Sequence, residues 1–272
     1  MRLVRFLTYA SAVVWAAVAV AAPVPGDVLA RLAGADVVII GEVHDNPGHH
    51  ARQAEIMRAV KPKAVVWEML TSEVAAGISG MDVSQSGALA QALNWAGSGW
   101  PSFDMYAPVF AAGGAARIYG GQVPRKDAFA AAGVGLVAAF GAQAEMYGLT
   151  TGLPAEEQAA READQQAAHC GAMPVDKLSV LVDIQRLRDA VLARQVVAAL
   201  ADTGGPVVVI TGNGHARRDR GVAVYLARAR PDVRVFVLGQ SEAGQVGGVY
   251  DAVLDSPAVQ RPDPCLAFQK SN

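Results

Sequence analysis

Four near-continuous apolar runs rich in Val and Ile constrain this chain most: 37–40, 64–67, 207–211 and 233–238, with a weaker run at 115–119. None alternates apolar with polar residues, so each suits a strand covered on both faces, the environment of a parallel sheet. Between them lie helix-forming stretches at 49–60, after the Pro47-Gly48 turn, and at 84–93, 104–112 and 216–229, the last stopped by Pro231. This alternation predicts an α/β fold: a mostly parallel sheet with helices on both faces. Residues 126–202 hold no convincing strand but much Ala, Glu, Gln and Leu, so a helical insert or lid is expected there. The Gly-rich stretch 239–248 reads as a loop. With 272 residues, 52% hydrophobic and 18% charged, the chain has core enough for one such domain over 22–272.

Arg2 and Arg5 precede an uncharged stretch from Phe6 to Ala22, and Ala19-Val20-Ala21 is a small-x-small cleavage pattern. Residues 1–21 are therefore expected to be a secretory signal and the protein periplasmic or secreted. No Cys adjoins the pattern, so no lipid anchor is expected. Removing the signal leaves 21 basic against 25 acidic residues, a formal charge of −4, which gives no reason to expect nucleic acid as a partner. Cys170 and Cys265 both fall in the exported part, where thiols tend to pair, so one disulfide is expected. Closing a loop of about 95 residues would contribute at most about 4 to 5 kcal/mol.

Two stretches echo one another. Ile39-Ile40-Gly41-Glu42-Val43-His44 and Ile210-Thr211-Gly212-Asn213-Gly214-His215 each carry a buried-strand run into a Gly-x-x-His, followed by a helix. Ligands of an open parallel sheet bind outside the carboxyl ends of its strands, so both His belong at one edge. The run Ala64-Val65-Val66-Trp67 ends in Glu68, delivered to the same edge. Glu42, His44, Glu68 and His215 are thus expected to cluster as catalytic groups, and His44, Glu68 and His215 have the chemistry of a divalent-metal set with an open position. A single Gly-x-x-His is as often a cap or loop residue as a functional one; two at matched strand ends with a Glu between them weigh against coincidence.

His49 and His50 sit in the first turn of the following helix, where the dipole keeps imidazole neutral. Consecutive helical residues diverge by about 100°, so one of the two is expected to face the site and the other solvent. Asp45 or Asn46 has the chemistry to start that helix. Projecting 176–201 as a helix places Leu178, Leu181, Val182, Leu192, Val196, Ala199 and Leu200 on one stripe, with Gln185 and Asp189 inside it and Arg188 at its edge. Such groups either form a structural ion-pair network or, for Arg188, face an anion. Arg186 and Asp183 project further from the stripe and are expected to be solvated. Arg217, just after His215, is a second anion-binding candidate, with a solvated basic face for Arg218 and Arg220 as the plain alternative. Trp95, Trp100, Phe103, Tyr106 and Phe110 either pack a loop or stack on a flat ligand.

The stretches GEVHDNPGHH, WEM, GWPSFDMY, HCGAMP, DIQRLRDAVLA and GNGHARRDRGV, in this order, resemble the ChaN-like haem-binding uptake proteins of the Tiki superfamily. The resemblance implies an α/β core with added helices, and haem binding linked to iron acquisition. It suggests an outer-membrane haem or iron uptake system and a second copy of the chain as partners. It leaves the iron ligand open between His and Tyr. His44, His49, Arg188, His215 and Arg217 are the residues expected to hold the haem. The superfamily also contains the erythromycin esterases and the Tiki proteases, whose strand-end Glu and His look like Glu42, His44 and His215. Hydrolysis, with His44 as base, is therefore the competing expectation.

Overall fold

A computed structural model describes residues 22–266; the expected signal at 1–21 lies outside the described residues. The chain begins α1 (Gly26–Ala33), β1 (Val37–Glu42), α2 (Pro47–Val60), β2 (Ala64–Trp67), α3 (Ser72–Gly77), α4 (Ser86–Ala92), α5 (Phe103–Gly113) and β3 (Arg117–Gly120). Four helices follow without an intervening strand: α6 (Arg125–Val134), α7 (Leu136–Phe140), α8 (Ala155–Ala168) and α9 (Val175–Thr203). The remainder is β4 (Val207–Gly212), α10 (Asn213–Ala216), α11 (Val222–Ala229), β5 (Val235–Glu242) and β6 (Ala252–Ser256).

The described strands form one sheet in the order β3-β2-β4-β1-β5-β6, every pair parallel. Period-two alternation explains why the strand runs are apolar throughout. Val38, Ile40, Val65, Trp67, Val208, Ile210 and Leu238 face a layer containing α1, α2 and α5. Val37, Ile39, Val66, Val207, Val209 and Val237 face the opposite layer, containing α9 and α11. Trp67 stacks on Phe110 of α5 with ring centroids 3.8 Å apart. The α/β class is as expected, with helices on both faces and the helical segment α6–α9 occupying the anticipated position.

Central pairing sets up the site. β1 lies between β4 and β5, and its register aligns Glu42 with Gly212. The loops that follow β1, β2 and β4 therefore leave the same edge side by side. Asn46 starts α2 by accepting from the Gly48 and His49 amides, with Pro47 at the first helical position.

Three sequence expectations need correction. The helix expected at 216–229 is two helices, because residues 217–221 turn: Gly221 packs so tightly on the His215 carbonyl that a Cβ there would lie 2.0 Å from its oxygen. The stretch 239–248 is a loop only in part, since β5 runs on to Glu242 and its residues 238–242 pair with β6, which was not anticipated. Arg186 is buried rather than solvated, donating to the Thr151 carbonyl at 2.8 Å and facing Asp183 at 3.4 Å.

Candidate functional site

Glu42 ends β1 with its side chain fully buried and both oxygens spent. Oε1 accepts from the Tyr106 hydroxyl at 2.7 Å and from His44 Nδ1 at 2.8 Å; Oε2 accepts from Gln53 Nε2 at 2.6 Å. Burial and the Glu42 carboxylate push the Tyr106 phenol far above its ordinary range, so it stays a donor. A carboxylate only accepts, so His44 carries its proton on Nδ1 and turns Nε2 outward. That nitrogen has no hydrogen-bond partner among the described residues. The His44 side chain is 33% exposed, lies edge-on to Trp100 with centroids 4.8 Å apart, and sits close over Gly212. Burial works against charging this ring, but the Glu42 hydrogen bond and the fields of Glu68 and Glu42 outweigh it, so the His44 pKa is raised above its ordinary value.

Across β4, Glu68 Oε2 accepts from the Thr211 hydroxyl and the Gly212 amide, each at 2.7 Å, and Oε1 stands 3.5 Å from His215 Nε2. His215 Nδ1 donates to Asp189 of α9 at 2.6 Å, with the Gln185 amide 2.9 Å away. Burial disfavours the imidazolium, yet Glu68 and Asp189 more than compensate and raise the His215 pKa to about 9. Burial likewise opposes the Glu68 charge, but His215, His44 and the bonds from Thr211 and Gly212 hold its carboxyl below the ordinary value. Glu68, His215 and Asp189 thus form a buried ion-pair triad, beside which the Glu42–His44 pair presents one open nitrogen.

Behind this cluster a cavity of about 220 Å³ is lined by Gln185, Asp189, Gly214, Arg217, Arg220 and residues of α8. Arg188, half-buried and near enough to His215 to oppose its charge, has no ion pair among the described residues. Arg217 is taken up by Asp219 through two bonds of 3.0 and 2.6 Å.

A family model described as "Haem-binding uptake, Tiki superfamily, ChaN" matches residues 28–226. The chain belongs to the ChaN family of haem-binding uptake proteins. As a ChaN-family chain it also resembles a solved structure of ChaN from Campylobacter jejuni, described as showing cofacial heme binding. The TM-score is 0.63 and identity 20%, over 81% of this chain and 87% of that one, which shows a shared fold. The type III effector HopBA1 matches with a TM-score of 0.47 at 12% identity, over 89% of this chain and 99% of that one. No curated protein matches.

Within this ChaN-family fold Glu42, His44, Glu68 and His215 do come together, as strand-end placement implied. The metal set His44, Glu68 and His215 does not assemble: among the described residues no group of three or more His, Cys, Asp and Glu is arranged to hold a metal ion. The His215 ring is already claimed by Asp189 and Glu68, and Glu68 by Thr211 and Gly212. Neither neighbouring His is solvated. His49 is fully buried, accepting from the Val43 amide at 2.9 Å and reaching the Ser241 carbonyl at 3.2 Å, and burial lowers its pKa. His50 is buried against Tyr106, its ring nitrogens 2.8 Å from the His44 carbonyl and 3.1 Å from Gln53 Oε1. Both hold the loop that aims His44. Sequence reasoning did not assign Gln53, Tyr106 and Thr211 to the cluster. Gln53 stands three residues after His50 on α2, the one local signal that both serve the same buried face.

The expected disulfide is present: Cys170 and Cys265 are bonded, closing a 95-residue separation.

Proposed function

We propose that this chain is an exported protein that binds haem in the service of haem or iron uptake, with the His44 imidazole as the iron ligand. The observation that carries the reading is the His44 ring. Of His44, His49, His50 and His215, it alone has a nitrogen that no protein group claims, and a buried carboxylate fixes the opposite nitrogen. A carboxylate behind the imidazole is the arrangement that orients ring ligands of iron and zinc and raises their basicity. Other features of the site suit the same cargo. Trp100 offers a flat apolar surface at the ring, with its indole Nε1 buried and unbonded. Arg188 supplies an unpaired cation suited to a propionate. The adjoining 220 Å³ cavity is too small to enclose a porphyrin, so a haem bound here would be held in part at the exposed His44 rim. Export is supported by the residue 1–21 pattern and by a disulfide of the kind that persists in oxidising compartments. An outer-membrane uptake system is the partner such a protein would serve, and a second copy of the chain is a further partner to test.

Hydrolysis is the weaker reading, because Glu42, Glu68 and His215 already spend their polar atoms on Tyr106, Gln53, Thr211, Gly212 and Asp189. Hemin titration tests the proposal. Wild type should give a saturable Soret change, and His44→Ala should weaken binding by about tenfold or more. Absence of a Soret change in wild type, or equal affinity in the variant, would overturn the assignment.

A further inference from the structure

Residues 257–265 form a segment that contacts the rim of the site at one end and the turn after α8 at the other. Leaving β6, the chain passes Asn46, whose Nδ2 donates to the Pro257 carbonyl at 3.1 Å and to Glu242 at 2.5 Å. Arg261 then forks between two carboxylates. Its Nε and Nη2 donate to Asp45 at 2.6 Å each, and Nη1 and Nη2 to Glu242 at 2.6 and 2.7 Å. Asp45 and Asn46 directly follow His44. Four residues on, Cys265 is bonded to Cys170, just beyond the end of α8. Four residues reach at most about 14 Å, and Pro262 and Pro264 stiffen the step by fixing φ. The tail is therefore a short, stiff bridge from the His44 loop to the α8–α9 turn.

What it ties down is weakly attached. Arg161 is the single buried residue of α8, so almost no apolar surface anchors this helix, which packs chiefly on α9. Arg217 and Arg220 meet Asp164 of α8 in ion pairs at 3.6 and 2.5 Å, contacts that water and salt weaken. Yet Arg161, Asp164, Gln165 and Ala168 of α8 form one wall of the cavity behind His215.

We propose that residues 257–265 are a strap, buckled by the Cys170–Cys265 disulfide, that holds α8 over the cavity and the His44 loop in place, and that dithiol exchange unbuckles it. The dithiol thiolate attacks one cysteine sulfur and its second thiol resolves the mixed disulfide. Two electrons pass to the protein, both cysteines take up protons as thiols, and the dithiol leaves as its own disulfide. Freed α8 then lifts, widening access to the site, while Arg261 still steadies Asp45. The identity of the admitted ligand rests on the haem reading; the buckle does not.

Amide hydrogen exchange and diethyl pyrocarbonate labelling of His44, both read by mass spectrometry, test the strap without haem. Folded protein is compared oxidised, reduced in place with dithiothreitol, and reoxidised, alongside Cys265→Ser. Reduction and Cys265→Ser should each speed exchange across α8 by about tenfold or more and raise His44 labelling, with the strands β1 and β4 still protected and the change reversed on reoxidation. Arg261→Ala, which keeps the disulfide, should raise His44 labelling and leave α8 protected. Exchange in α8 within about twofold of the oxidised protein overturns the proposal. So does loss of protection in β1 and β4, which would make the disulfide a staple of the whole fold. Hemin affinity measured on the same oxidised sample reports on the haem reading separately.

Discussion

Raising the pH should unfasten the His215 triad, and the structure sets the size of the effect. The imidazolium lies between Asp189 at 2.6 Å and Glu68 at 3.5 Å, and its pKa stands at about 9 against 6.5 for an unperturbed ring. A pKa raised in the folded state means that the folded protein holds the proton more tightly than the unfolded chain does. The resulting stability is fully present below about pH 6.5 and is lost as pH rises through about 9. The difference is worth roughly 3 kcal/mol at 1.36 kcal/mol per tenfold change in proton affinity. Urea unfolding of the disulfide-intact protein across this range should show the loss as a fall in midpoint of about 1 M or more. His215→Asn is the control. It begins less stable, because Asp189 loses its partner, but its midpoint should lack this pH-dependent component. If wild type and variant fall in parallel between pH 6.5 and 9, the triad does not hold a buried imidazolium and the reasoning fails.

Two further outcomes follow from the same geometry. Hemin affinity should fall as pH is lowered through the raised His44 pKa, approaching tenfold per pH unit, because the ligand nitrogen must lose its proton first; titrations from about pH 6 to 9 check this, and a flat profile would remove His44 from the iron. Trp67→Ala should cost about 3 to 5 kcal/mol, seen as a fall in Tm of roughly 10 °C. Trp67 is 1% exposed and stacked on Phe110, so a change under about 1 kcal/mol would contradict its place in the core.

The cluster also shows why the surrounding polar residues are what they are. Buried carboxylates destabilise a fold unless their oxygens are satisfied. Here Glu42 takes bonds from three different elements and Glu68 from two residues of β4. Removing Gln53 would leave Glu42 Oε2 without its hydrogen bond, and removing Tyr106 would leave Oε1 to His44 alone, which links their chemistry to the folding of the β1 loop as much as to any ligand.

The strands β1, β2, β4 and β5 could be read from the amino-acid order because a strand covered on both faces must be apolar at every position. β3 and β6 were harder, since edge strands bury only part of each residue: β6 shows Leu254 and Ser256 buried beside exposed Val253 and Asp255. Placement of Glu42, His44, Glu68 and His215 at one edge was equally legible, because parallel strands send their carboxyl ends the same way. Which imidazole nitrogen stays open was not. That depends on Gln53 of α2, Ser241 of β5 and Asp189 of α9, which claim ring nitrogens of His50, His49 and His215, and on Tyr106 of α5, which helps to fix the Glu42 carboxylate behind His44. Arg186, Arg188 and Arg217 follow the same rule, for local spacing sets only the direction a side chain leaves the backbone. The residues alone therefore determined a covered parallel sheet, its strand-end acids and imidazoles, and a pairing of the two cysteines. Only tertiary structure decided that His44 keeps an open ring nitrogen, that His215 sits between Asp189 and Glu68 and that the tail bridges the rim, because hydrogen-bond saturation is a property of contacts between elements.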